Sequence, residues 1–249
     1  LAEEPVKLAE AVAGCSWAPD AKTIACSGTP QGATHPDRVR RSAVYLIDPS
    51  GNKRALLDSQ DYSYRNPRFS QDSRTLYVLV QQTDEQAFRQ TTLAAVPLQG
   101  TPAAQPVTDW PSSIQDFTIA NDGALLFTTA WHGGFPLHRV TPTDKRRSPV
   151  VEGPVGVQTF DEGGGRIVYA LTHIENPNEL YLRDKDGTTR RLTNLNNGWL
   201  ADRELATVTE KWITRPDGFK FQTWTMNPTR TEPNRKYPWV LDIHGGPTA

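Results

Sequence analysis

The sequence predicts an all-β chain of β-propeller blades, about four of them, followed by the first strands of an α/β domain. Three observations carry this expectation. A strand, polar turn, strand unit recurs four times, at 16–27 (SWAPDAKTIACS), 68–80 (RFSQDSRTLYVLV), 118–130 (TIANDGALLFTTA) and 159–172 (TFDEGGGRIVYALT). Its turn centres, Asp20, Asp72, Asp122 and about Glu162, lie 52, 50 and about 40 residues apart, the period of a blade rather than of a helical solenoid. No stretch of the first 195 residues sustains a helical apolar period.

In chain order, each hairpin is followed by a third element, a turn and a fourth: 44–57 (VYLIDPSGNKRALL), 91–107 (TTLAAVPLQGTPAAQPV), 136–150 (PLHRVTPTDKRRSPV) and 179–193 (ELYLRDKDGTTRRLT). Four strands per repeat make a blade, and alternation of apolar and polar residues is clear in YLID and ELYLRD. A β-sandwich is the competing architecture, but it would not restate one strand–Asp turn–strand unit four times. Asp with Pro, Ser or Gly supplies the side-chain hydrogen bond and the left-handed backbone positions that a tight reversal needs. The chain opens directly into a blade hairpin, and the expectation is that the natural protein begins earlier.

Charge and composition exclude several classes. Lys and Arg number 27 against 28 Asp and Glu, a formal net charge of −1, which gives no basic footprint for nucleic acid. No apolar run approaches the roughly 20 residues of a bilayer span, so no membrane partner is expected. Residues 1–10 carry no n-region and h-region pattern. No metal-ligand spacing, phosphate loop or dinucleotide fingerprint appears, so no cofactor is expected. Cys15 and Cys26 are the only cysteines. If Trp17 faces Ile24 across the turn, antiparallel pairing also sets Cys15 opposite Cys26, and a cross-hairpin disulfide is allowed. Two small buried thiols fit the residues equally well. A disulfide would favour a periplasmic or secreted location, free thiols a cytoplasmic one.

After residue 200 the pattern changes. The segment 210–229 (EKWITRPDGFKFQTWTMNPT) reads as a hairpin, with strands at 211–215 and 219–226 about the turn Pro216, Asp217, Gly218. A loop rich in Pro, Thr and charge then leads to 237–249 (YPWVLDIHGGPTA), where an apolar strand, 239–243, runs into His244, Gly245, Gly246 and Pro247. A Gly-rich loop after an early strand presents a backbone N–H to a developing oxyanion, and a side chain there would obstruct the approach of the scissile carbonyl. The similar run 131–135 (WHGGF) falls in blade register, with 136–140 returning as the next strand, and reads as a hairpin turn. His35, His132, His138 and His173 lie in or beside blade turns, and no GxSxG elbow is present, so these residues hold no catalytic triad of their own. The basic clusters Arg38, Arg40, Arg41 and Lys145, Arg146, Arg147 read as solvated turns.

Blade repeats followed by this hairpin and the HGGP run resemble the prolyl oligopeptidase family of serine peptidases, in its acylaminoacyl-peptidase and dipeptidyl-peptidase 5 branch. The resemblance is diffuse over the blades and sharp at 176–182 (NPNELYL), 192–196 (LTNLN), Asp217–Gly218, Trp224 and 237–247. It implies a seven- or eight-bladed propeller capping an α/β-hydrolase domain, with 1–200 as part of the propeller and 201–249 as the start of the catalytic domain. It implies a serine exopeptidase that removes an N-terminal dipeptide or an acylated residue from short peptides, the propeller acting as a size filter. Gly246 then matches the glycine whose N–H enters the oxyanion hole, with Gly245 and His244 shaping the loop. The nucleophile, acid and base come later in the family, outside these residues. A propeller used as a binding module, or a noncatalytic hydrolase homologue, are the alternatives. Expected partners are a short peptide substrate and the remainder of the same protein, with homo-oligomerisation open. Unpaired sheet edges imply that these residues alone do not remain folded and monomeric.

Overall fold

The computed structural model describes residues 12–30, 41–83 and 89–243. The strands run β1 (Val12–Trp17), β2 (Ile24–Gly28), β3 (Ala43–Ile47), β4 (Lys53–Leu57), β5 (Tyr62–Phe69), β6 (Thr75–Gln82), β7 (Thr91–Pro97), β8 (Gln105–Pro106), β9 (Ile114–Ile119), β10 (Leu125–Thr129), β11 (Leu137–Val140) and β12 (Arg147–Val151). They continue as β13 (Gly156–Gly163), β14 (Arg166–His173), β15 (Asn176–Arg183) and β16 (Thr189–Arg191). One helical turn, α1 (Asn197–Leu200), precedes β17 (Val208–Thr214) and β18 (Lys220–Met226). β1–β4, β5–β8, β9–β12 and β13–β16 each form a four-stranded sheet in sequential order, and β17 and β18 form a separate pair. Sequential four-stranded antiparallel sheets are propeller blades, and the repeat read from the sequence holds in all four.

The turn chemistry explains the repeat. Asp20, Asp72 and Asp122 each accept, through Oδ1, the backbone N–H two residues on, from Lys22 at 3.0 Å, Arg74 at 3.0 Å and Ala124 at 3.2 Å. The residue after each Asp takes the left-handed conformation, with φ of 56° at Ala21, 57° at Ser73 and 82° at Gly123. An aspartate at this position satisfies the donor that the reversal exposes.

The chain forms two compact units: residues 1–130 with 137–150, and 131–136 with 151–249. In the first, β6 is buried on both faces. Leu76, Val78 and Val80 pack with Val44, Leu46, Tyr64 and Val96, while Tyr77 and Leu79 pack with Leu93, Ile114, Phe117 and Phe127. A strand covered on both sides has no solvent face, which is why TLYVLV runs apolar without alternation. The second unit holds β13–β16, with Val157, Ile167 and Tyr169 buried, and the β17–β18 hairpin.

Each first strand slips register once. The slip falls between Ala13 and Ser16 in β1, between Arg65 and Arg68 in β5, beside Gln115 in β9, and between Val157 and Thr159 in β13. In β5 the cause is legible: Asn66 is left-handed at φ 51°, and Pro67 has no N–H to give the ladder.

The pairing Trp17↔Ile24 is present, and Cys15 is disulfide-bonded to Cys26. Cys15 is exposed, so of the two readings that fit the sequence the structure takes the cross-link. The bond spans a sequence separation of 11 and, by loop-closure entropy, contributes about 3 kcal/mol. The Cys15→Ala/Cys26→Ala double variant is expected to lose that much in chemical denaturation, and dithiothreitol should destabilise the wild type by about that much more than the variant.

Arg41 departs from the solvated-turn reading. It is half-buried, and its Nη1 donates to Asp58 Oδ1 at 2.5 Å and to the Ser59 carbonyl at 2.7 Å, joining the start of one strand to the end of another. Lys145 and Arg146 are exposed as expected, whereas Arg147 begins β12, pairs with Asp109 at 3.4 Å and lies over the Trp110 ring at 5.1 Å. His35, Arg38 and Arg40 lie outside the described residues.

Candidate functional site

Within the second unit, the turn 131–135 does more than reverse the chain. Trp131 N donates to the Gly134 carbonyl and Gly134 N to the Trp131 carbonyl, both at 3.0 Å, with φ of 47° at His132 and 76° at Gly133. Positive φ at both central residues is the primed hairpin turn that matches strand twist. The His132 ring stacks on Trp131 at 4.7 Å and meets the edge of Trp212 from β17 at 5.5 Å. Trp224 of β18 packs against Gly133, where a Cβ would stand 2.5 Å from the indole Cζ2. At Gly134 a Cβ would meet the Val155 carbonyl at 2.6 Å. The glycines therefore serve close approach as well as the turn.

The same residues wall a cleft of about 570 Å³. Phe135, Val208, Trp224 and Met226 give it apolar sides, and the β14–β15 turn brings His173 and Glu175 to it. The backbone N–H of Glu175 donates to His173 Nδ1 at 3.3 Å. A concave, mostly apolar surface with a few polar groups is suited to a small organic or peptide group.

Below this turn, two sequence motifs that are separate in the chain meet. Glu179 of β15 is buried, at 1% exposure. Its carboxylate accepts hydrogen bonds from Thr193 Oγ1 and from the Asn196 backbone N–H at 3.0 Å, and pairs with Arg191 Nη2 at 2.7 Å. Asn196 Nδ2 also donates to the Pro177 carbonyl at 2.7 Å. NPNELYL and LTNLN are thus one network, pinning the segment that leaves the β13–β16 sheet. Burial alone would raise the Glu179 pKa, but the hydrogen bonds from Thr193, Asn196 and Leu195 and the Arg191 guanidinium outweigh it and hold the group at about 2. Because the folded value lies below the ordinary 4.5, the charged network stabilises the fold above pH 4.5, and that contribution is lost as pH falls towards about 2. Glu179→Gln is expected to be less stable than wild type at neutral pH and to show a flatter loss of melting temperature across that acid window.

Of the sequence-assigned site residues, His244, Gly245 and Gly246 lie outside the described residues. The expected strand at 239–243 is not formed: the segment joins no ladder, and Trp239 and Val240 are 78% and 84% exposed. A strand exists only with a partner for its backbone groups, and among the described residues none lies beside it. His138 is a core residue, its ring at 4.4 Å from Trp110 and 5.6 Å from Phe127. Among the described residues no three His, Cys, Asp or Glu side chains cluster as a metal site. The aromatic seat at Gly133 was missed in the sequence because WHGGF satisfies a turn completely, and the tryptophan it receives is 91 residues away.

No family model matches the chain. Dipeptidyl-peptidase 5 of Porphyromonas endodontalis is 29% identical over 112 residues, 45% of this chain and 16% of that protein. Dipeptidyl-peptidase 5 of Porphyromonas gingivalis is 22% identical over 250 residues, 98% of this chain and 36% of that protein. The chain thus spans well under half the length of either relative. Among solved structures, the acylaminoacyl peptidase of Pyrococcus horikoshii superposes with a TM-score of 0.66 at 18% identity, over 88% of this chain and 33% of that one. The β-propeller domain of the Trilobed protease from Pyrococcus furiosus gives 0.54 at 16% identity, over 76% of this chain and 54% of that one.

At these identities the solved structures establish the fold, and it is that of a β-propeller. Both sequence relatives are dipeptidyl-peptidases by name, at 29% and 22% identity.

Proposed function

We propose that the chain is the propeller and oxyanion-loop portion of a serine exopeptidase that hydrolyses short peptides, of dipeptidyl- or acylaminoacyl-peptidase type. The observation that carries this reading is likeness to a dipeptidyl-peptidase 5 along 98% of the chain. Residues 1–200 are the propeller part, and 201–249 begin the hydrolase domain. The substrate carbonyl is attacked by a serine outside these residues, and the oxyanion that forms is held by the Gly246 N–H, with Gly245 and His244 shaping the loop. The blades act as a filter that admits short peptides and excludes folded proteins.

Exposed apolar side chains on and after the hairpin, Trp212, Phe219, Met226 and Trp239 among them, favour the remainder of the same protein as the cover of this surface. The Cys15–Cys26 bond favours an oxidising compartment, periplasmic or secreted.

The full-length protein should hydrolyse Ala-Ala-p-nitroanilide, acetyl-Ala-p-nitroanilide or both, the preference deciding between a free and an acylated substrate terminus, and should leave a folded protein uncut. Failure to release p-nitroaniline from either would contradict the reading.

A further inference from the structure

A second cleft, of about 650 Å³, lies within the first unit where β1, β5 and β9 come together. Its chemistry is set by the register slip in β5. Arg65 and Arg68 are three positions apart and would point to opposite faces of a regular strand. The extra residue at Asn66–Pro67 places them opposite Leu79 and Tyr77 of β6, two positions apart, so both arginines stand on one face and both line the cleft. The slip in β1 provides the room. Gly14, at φ 56°, abuts Asn66, whose Cα would lie 3.6 Å from an added Cβ.

The two guanidiniums are under-used. Among the described residues neither is in an ion pair. Arg65 Nη2 makes a long hydrogen bond of 3.4 Å to Thr91 Oγ1, and the Nε of Arg68 is buried with no acceptor. Among the described residues the single carboxylate lining the cleft, Asp116, already accepts from Asn66 Nδ2 at 2.7 Å and from the Phe117 backbone N–H at 2.8 Å, both through Oδ1. A buried guanidinium N–H left without an acceptor is costly, and paired arginine forks match the geometry of a carboxylate.

We propose that this cleft binds a carboxylate-bearing peptide, with Arg65 and Arg68 holding the carboxylate. The carboxylate belongs either to a C-terminus or to an acidic side chain. The proposal rests on the peptidase reading for its class of ligand, but it concerns binding in the blades and not turnover, so loss of one leaves the other measurable.

The test is calorimetric titration of full-length protein pre-treated with a fluorophosphonate, so that no peptide is consumed. The probes are acetyl-tetra-alanine as the free acid, the same peptide as its amide, and acetyl-Ala-Glu-Ala-Ala amide. At least one carboxylate-bearing peptide should bind about tenfold more tightly than the tetra-alanine amide, and which one does so identifies the source of the carboxylate. Arg68→Gln and Arg65→Gln should each abolish the difference. Arg65 is exposed, so its variant decides the matter if the Arg68 variant does not fold. Equal binding of all three peptides, or a preference that survives in folded Arg65→Gln, would overturn the proposal.

Discussion

Gly133→Ala is expected to destabilise the full-length protein by about 4 kcal/mol. Two costs add. The residue sits at φ 76°, where an alanine is strained by about 1–2 kcal/mol, and its Cβ would lie 2.5 Å from Trp224 Cζ2 and 2.8 Å from Cε2 and Nε1, so the indole must leave its seat. Displacing a packed side chain typically costs about 1–3 kcal/mol. Gly123→Ala separates the two costs. It has a similar φ of 82° with nothing within 4 Å of the added Cβ, and so should lose only the strain. Thermal unfolding with tryptophan emission as readout reports both, since Trp224 moves in one variant and stays in the other. Equal losses in the two variants would mean that the Gly133–Trp224 contact contributes nothing.

Gly246→Pro carries the largest expected effect on activity. A proline deletes the backbone N–H assigned to the oxyanion, and loss of one such donor in acyl-transfer enzymes costs about 10²–10³ in kcat. The variant is expected to lower kcat by at least that factor, because the donor acts on charge that appears only in the transition state, and to raise KM, because the ring obstructs the approach of the scissile carbonyl. A rate equal to wild type would remove Gly246 from the mechanism.

Much of the fold was legible because its determinants are local. The Asp turns announce themselves by residue type, since Asp20, Asp72 and Asp122 satisfy a donor two residues away. The hairpin about Asp217 is read the same way, with Phe219 N bonded to Asp217 Oδ1 at 3.1 Å. What escaped is what depends on partners distant in sequence. Glu179 in NPNELYL looks like the polar member of an alternating strand, and only the return of Thr193, Asn196 and Arg191 makes it a buried anion. Pro67 inside β5 is a visible sign of the slip, but that the slip aligns Arg65 with Arg68 follows only from the pairing with β6. The apolar run 239–243 has strand composition without a strand, because composition does not supply a neighbour.

The central claim is that these blades belong to a serine peptidase whose nucleophile lies outside the 249 residues. It is tested most directly by intact-mass spectrometry of the natural protein before and after treatment with a fluorophosphonate that labels activated serines. The account predicts a mass well above 27.7 kDa and one adduct per chain, on a serine beyond Ala249. A mass of 27.7 kDa with no adduct would contradict it and leave a propeller that binds without catalysing.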